Sequence, residues 1–168
     1  ACDMALKLRI PLIYLLNCSG IKLDEQDRVF AGRVGGGTPF YRHMELAQNG
    51  IPVIVGVFGT NPAGGGYHCI TPTIVVAHEK ANMAVGGAGI VGGMNPKGHV
   101  DEEAAMALIN ATKNSKKGPV LGDVKTHFNE TGLFREVYGL EEGVIDALKK
   151  YVDASPHYNE NYFRVAPP

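Results

Sequence analysis

The stretch Val57-Phe58-Gly59-Thr60-Asn61-Pro62-Ala63-Gly64-Gly65-Gly66-Tyr67-His68 decides the fold. It closes an apolar run, residues 52–58, whose continuity predicts a strand covered on both faces. Three consecutive glycines then open a short helix predicted over residues 65–70. Glycines place no side chain between their backbone N–H groups and a ligand, and a helix N-terminus adds partial positive charge. The junction therefore suits an oxyanion, either a phosphate or a carbonyl oxygen turning into an enolate. A phosphate loop needs Lys and Ser/Thr after the last glycine, and Tyr67 and His68 stand there instead. A tight turn with close helix–strand packing is the third reading these residues allow.

A similar junction lies upstream, Leu15-Leu16-Asn17-Cys18-Ser19-Gly20-Ile21, after an apolar strand over residues 11–17. This strand too is expected to be covered on both faces. Both turns sit at the C-terminal ends of strands, where open α/β sheets bind ligands. Around them the pattern predicts a helix over 3–8 and a polar stretch over 22–32 with a short helix. Thr38 and Pro39 suit a cap and first helical position for a helix over 39–49, ended by Gly50. Phe40, His43, Met44 and Ala47 share one face of it. Strands follow over 73–77 and 82–85. Asp101 caps a helix over 101–113, and a last helix covers 141–152 with Lys149 and Lys150 in its final turn. Strands alternating with helices predict a mainly parallel α/β sheet.

Bulk properties exclude several classes. The 168 residues are 45% hydrophobic and carry a formal net charge of −1. That suffices for one folded domain and gives no basic stripe for nucleic acid. Cys2, Cys18 and Cys69 are odd in number and far from any ligand-spaced cluster, which predicts reduced thiols and no structural zinc. No apolar run approaches the roughly 20 residues of a membrane-spanning helix. A start without Met and the end Ala166-Pro167-Pro168 suggest a piece of a longer polypeptide. Ser19 lacks the Gly-x-Ser-x-Gly setting of a nucleophile. His43 and His68 read as packed, hydrogen-bonded histidines. Lys97, in the turn Asn95-Pro96-Lys97-Gly98, reads as a solvated loop lysine or a partner for a phosphate or carboxylate.

The two turns, in this order and about 40 residues apart, resemble the crotonase superfamily. More closely, the chain resembles the carboxyltransferase subunits of biotin-dependent enzymes, in the branch that decarboxylates glutaconyl-CoA. The matching stretches are residues 11–20, Gly35-Gly-Gly-Thr-Pro-Phe-Tyr-Arg-His43, residues 59–68, and Ala84-Val-Gly-Gly-Ala-Gly-Ile-Val-Gly-Gly-Met-Asn-Pro-Lys-Gly98. The resemblance covers essentially the whole chain. It implies an α/β, crotonase-like spiral core of mainly parallel strands and flanking helices. Residues 1–168 would form a single domain, the N-terminal acyl-CoA-binding part of a longer two-domain subunit, inactive alone.

The resemblance also implies a reaction, the transfer of the distal carboxylate of glutaconyl-CoA to biotin to give crotonyl-CoA. The thioester oxygen of the dienolate would be held by backbone N–H groups: Ile21 or Gly20 from the first turn, Gly64 or Gly65 from the second. Ser19 and Gly66 would lie beside the substrate. Gly86, Gly87 and Ala88 would line the acyl or biotin cavity, with Lys97 near the coenzyme. Biotin would ride on a separate carrier subunit and a coenzyme A thioester would be the substrate. Further implied partners are a membrane sodium-pump subunit and further copies of the chain, in a cytoplasmic complex peripheral to the inner membrane. A carboxyltransferase for propionyl-, methylcrotonyl- or methylmalonyl-CoA is the alternative enzyme. The look-alikes carry Ser-Gly-Gly-Ala at the first turn, where this chain has Ser19-Gly20-Ile21-Lys22. A hydratase would need a carboxylate near the second turn, and residues 64–74 contain none. A non-catalytic assembly module is the alternative without chemistry.

Overall fold

The computed structural model describes residues 1–18, 20–21, 23–84 and 122–155. Helix α1 (Cys2–Leu8) leads into strand β1 (Leu12–Leu16). A 3-10 turn (Leu23–Glu25), α2 (Gln26–Phe30) and α3 (Thr38–Gln48) carry the chain to β2 (Val53–Val57). β3 (Thr60–Pro62) and the four-residue α4 (Gly64–Tyr67) form the second junction. β4 (Ile74–His78), β5 (Asn82–Ala84), α5 (Val124–Asn129), β6 (Glu136–Tyr138) and α6 (Glu141–Ala154) complete the described elements. The main sheet runs β1-β2-β4-β6, and β3 pairs with β5 separately. Among the described residues every strand pairing is parallel.

β2 is the middle of the molecule because its sequence has no polar side. All five of its residues are buried. Alternation along the strand sends Val53, Val55 and Val57 to one face and Ile54 and Gly56 to the other. The first row joins Leu12, Leu16, Leu46, Val75, Ala77 and Phe134 in the larger core. On the second face Ile54 and Val76 meet Val144, Ala147 and Leu148 of α6. The α6 residues are spaced three and four apart, one apolar stripe of a helix. Each such fully buried aliphatic side chain contributes about 1.5–3 kcal/mol relative to exposure.

Several expectations are revised. β1 is covered on one face only: Leu12 and Leu16 are buried, while Ile13 and Leu15 are exposed. β1 lies at the edge of the main sheet, and α6 packs on β2, β4 and β6. Thr38 is inside α3 rather than its cap; Gly37 precedes the helix, and the Thr38 hydroxyl donates to the Arg33 carbonyl at 2.9 Å. The buried residues of α3 are His43 and Leu46, with Met44 and Ala47 exposed, because the helix lies on α1 and β2 along its 43/46 edge. α6 runs on to Ala154, so Lys149 and Lys150 fall short of its last turn, and Lys149 pairs with Asp146 at 3.1 Å. β3, α5 and β6 appear where no element was expected. The helix expected over 101–113 and the end of the strand at Val85 lie outside the described residues.

Gly56 is where the sheet and α6 come closest. A methyl group there would lie 2.8 Å from Leu148 Cδ1 and 3.3 Å from Val144. Gly56→Ala should cost about 1–3 kcal/mol of stability in denaturant unfolding of the full-length protein. Adding Leu148→Val should cost less than the sum of the two single changes, since the shorter side chain clears the methyl. Additive losses would contradict this packing.

Candidate functional site

Parallel pairing puts the ends of β1 and β2 side by side, with Leu16 opposite Val57. The Phe58 N–H donates to the Leu16 carbonyl at 2.7 Å, extending the register by one bond. Both chains then turn at the same edge of the sheet. Gly20 has φ +98°, a conformation that glycine adopts freely and other residues resist. A methyl group at Gly20 would meet nothing within 4 Å. Beyond it, the Ile21 side chain lies over Gly36, its Cδ1 3.3 Å from a methyl placed there.

The second turn is built around Ala63, whose φ of 46° and ψ of −121° are unusual for a residue with a side chain. The Ala63 N–H is held by the Ala84 carbonyl of β5 at 2.7 Å. This kink swings the chain from β3 straight into α4, and strain of this sort persists only where surrounding bonds impose it. The Tyr67 N–H donates to the Ala63 carbonyl at 3.1 Å, the first helical bond of α4. The amides of Gly64, Gly65 and Gly66 precede it and have no carbonyl a turn back within the helix.

The three glycines differ in their surroundings. A methyl at Gly65 would lie 2.1 Å from the Cys18 carbonyl oxygen. One at Gly66 would lie 2.8 Å from Met83 Cγ and 2.9 Å from the Asn61 carbonyl oxygen. One at Gly64 would meet nothing within 4 Å. Gly65 and Gly66 thus let the backbones close up, while Gly64 borders open space. Gly59, at φ +59°, lies under the Asn17 side chain, with Asn17 Oδ1 2.4 Å from a methyl there.

Asn61 is fully buried between the two turns. Its Oδ1 accepts the Cys18 N–H at 2.7 Å, and its Nδ2 donates to the carbonyls of Phe58 at 2.8 Å and Gly59 at 3.2 Å. In sequence it looked like one more turn residue before a proline, so this tie was missed. Its bonds go to backbone groups, which the pattern of side chains does not mark.

Behind α4 lies an aromatic cluster. His68 stacks on Phe40 at 4.5 Å between ring centroids and lies 5.2 Å from Tyr14 and 5.7 Å from His43. His43 is fully buried, and among the described residues neither of its ring nitrogens nor His68 Nδ1 has a hydrogen-bond partner. Both histidines are packed as expected, but these nitrogens lack the expected partners. Burial, with His43 nearby, brings His68 down to about 4, and burial alone lowers His43. Both are neutral at pH 7, so His68 serves as the floor of α4 and offers no cation to an anion. Burial also pushes the Cys69 thiol up to about 12, and the three cysteines are free thiols.

Of the residues singled out in the sequence, Gly20, Ile21, Gly64, Gly65 and Gly66 lie on these two turns. Ser19, Gly86, Gly87, Ala88 and Lys97 lie outside the described residues. No described helix is long and apolar enough to cross a membrane.

Residues 1–168 match the carboxyl transferase domain family, and the chain belongs to that family. It is 59% identical over its whole length to the glutaconyl-CoA decarboxylase subunit alpha of Acidaminococcus fermentans, of which it spans 29%. In fold it is similar to transcarboxylase 12S, solved with methylmalonyl-coenzyme A and methylmalonic acid bound. That likeness has a TM-score of 0.68 at 17% identity and covers 93% of this chain and 26% of that one. An enoyl-CoA hydratase/isomerase family protein from Silicibacter pomeroyi matches with a TM-score of 0.52 at 17% identity, over 85% of this chain and 63% of that one. The fold is therefore the crotonase-like α/β fold with mainly parallel strands.

Two outcomes follow from this geometry. Gly65→Ala should destabilise the full-length protein by about 1–3 kcal/mol through its clash with Cys18. Gly64→Ala, with open space and a better helix former, should be neutral or slightly stabilising. Equal thermal shifts for the two would show that Gly65 is not the contact point.

The histidines set a pH dependence. Their folded pKa values lie below the unfolded value near 6.5, so the unfolded chain takes up protons first as pH falls. Their contribution is full above about pH 6.5 and is lost as pH falls toward the folded value of His68, about 4. His68→Phe should flatten the melting temperature between pH 6.5 and 4.5. An unchanged pH profile in that variant would remove His68 from the acid response.

Proposed function

We propose that this chain is the acyl-CoA-binding part of a biotin-dependent carboxyltransferase. It transfers the distal carboxylate of glutaconyl-CoA to biotin and gives crotonyl-CoA. The observation that carries the reading is the pair of turns at one sheet edge, with the first-turn amides of α4 free of helical acceptors beside open space at Gly64. The 59% identity to a glutaconyl-CoA decarboxylase subunit supports the substrate.

Breaking the bond to the distal carboxylate leaves its electron pair on the acyl chain as a dienolate, whose charge reaches the thioester oxygen. The carbon that lost the carboxylate then takes up a proton. Biotin, when bound, supplies the ureido nitrogen that accepts the carboxyl group in exchange for its proton. The chain's task is to hold the thioester oxygen. One amide comes from Gly20 or Ile21 and one from Gly64 or Gly65. Such donors act because they are aimed beforehand at the place where charge develops. No Asp or Glu occurs in residues 16–21 or 58–74, so these turns offer no carboxylate as acid or base. The small, open surface at Gly64 fits a flat thioester. The residues assigned to the biotin side, Gly86, Gly87 and Ala88, lie outside the described residues.

On this reading biotin sits on a separate carrier subunit. The chain works in an oligomer whose complex meets a membrane sodium-pump subunit, on the cytoplasmic side of the inner membrane. Gly66 borders the bound thioester on this reading, and Ser19 and Lys97, assigned to it by the resemblance alone, lie outside the described residues.

The test is decarboxylation of glutaconyl-CoA by the full-length protein with free biotin. Biotin-dependent release of CO₂ is expected, and Gly64→Val should lower kcat about 10²- to 10³-fold. The open space there leaves the fold intact. Turnover of propionyl- or methylcrotonyl-CoA in place of glutaconyl-CoA would move the substrate assignment. Absence of any thermal shift with saturating acyl-CoA would favour the assembly module, since a ligand of the folded state must stabilise it.

A further inference from the structure

We infer that Asn61 is the positioning residue of this site: its carboxamide sets the spacing between the amide donors of the two turns. The inference rests on the acyl-CoA reading above and adds a residue to it. A two-donor oxyanion site works only if both donors stand at hydrogen-bonding distance from one oxygen, so the separation of the turns must be held tightly. Asn61 is the side chain that spans them.

Its bonds account for the claim. Oδ1 takes the Cys18 N–H at 2.7 Å, across 43 residues of sequence. Cys18 stands two residues before Gly20, so this bond anchors the first turn just ahead of its donors. Nδ2 faces the carbonyls of Phe58 at 2.8 Å, Gly59 at 3.2 Å and Asn82 at 3.4 Å, which anchor the second turn and β5. Among the described residues no other side chain hydrogen-bonds to the first turn from the second. Among the described residues the remaining ties are the backbone bond from Phe58 to Leu16, which holds the strand ends ahead of the turns, and the close approaches of Gly65 to Cys18 and of Gly59 to Asn17. The close approaches limit how near the turns come but not how far apart they drift.

The chemistry also explains why the residue is Asn. The position needs an acceptor on one side and a donor with two hydrogens on the other, which a carboxamide of this length provides. Asp would set a buried carboxylate oxygen against the Phe58 and Gly59 carbonyls. Ala would take the acceptor from the Cys18 N–H and the Asn61 donor from the Phe58 carbonyl in a closed space, which buried polar groups tolerate poorly, while the Gly59 carbonyl would keep the Asn82 N–H at 2.8 Å. Asn61 is fully buried and its carboxamide is engaged at both ends, so it has no reason to touch substrate.

The test compares Asn61→Ala, Asn61→Ser and Leu148→Ala in the full-length protein. It measures melting temperature, kcat and KM for glutaconyl-CoA with free biotin, and crotonyl-CoA affinity by calorimetry. Leu148 lies on the opposite face of the sheet, under α6, and reports what loss of stability alone does. Asn61→Ala should lower kcat about 10²-fold, the scale of a misplaced reacting group. Its crotonyl-CoA affinity should change only a few-fold, because the thioester oxygen is one polar group of a large ligand. Asn61→Ser, which keeps one donor and one acceptor, should fall between it and the parent and stands in if the alanine variant does not fold. Leu148→Ala should lose stability and keep the parent kcat. Asn61 variants that keep the parent kcat, or that lose it only as far as Leu148→Ala does, overturn the inference. A parent protein that neither turns over nor binds acyl-CoA overturns the reading beneath it, a separate outcome visible in the same experiment.

Discussion

The rest of the structure depends on the parallel register of β1 and β2. Leu16 lies opposite Val57, so the two strands end together and both following turns leave the sheet at one edge. Strands in a parallel pair stand about 4.8 Å apart, which brings the turns within reach of one another and of the Asn61 carboxamide that bonds to both. An antiparallel arrangement would send them to opposite ends. The helices α2 and α3 between the strands are the crossover that parallel pairing requires.

On that frame the site is assembled from backbone rather than from reactive side chains. Gly65 and Gly66 remove side-chain volume where the turns meet Cys18 and β5. Ala63 kinks the chain so that α4 begins at once, leaving its first amides without helical acceptors. Amide donors do not titrate, so a site of this kind works without a tuned acid or base. The titratable groups nearby, His43 and His68, are kept neutral by burial and serve as packing beneath α4. The amides proposed as donors and the pH-sensitive support are thus different parts of the same small region.

Much of this was legible in the sequence, and the reasons differ from element to element. β2 was readable because a continuous apolar run between Pro52 and Gly59 has few other solutions. The glycine cluster was readable because three glycines at a strand end serve little purpose except close approach. β3 was not, since Thr60-Asn61-Pro62 reads as a turn and becomes a strand only through pairing with Asn82-Met83-Ala84. β6 is three residues long and exists because β4 offers it an edge. The exposure of Ile13 and Leu15 was invisible for a similar reason: apolarity shows that a face can be buried, while only the sheet order shows that β1 is at its edge. Asn61 was hidden because its partners, Cys18, Phe58 and Gly59, are backbone groups, which leave no mark in the pattern of side chains.

The most direct measurement is an experimental structure of the full-length protein with crotonyl-CoA bound. The thioester oxygen should lie about 2.7–3.1 Å from two backbone nitrogens, one from Gly20 or Ile21 and one from Gly64 or Gly65. A thioester seated elsewhere, or an oxygen held by side chains with the two turns apart, would contradict this placement.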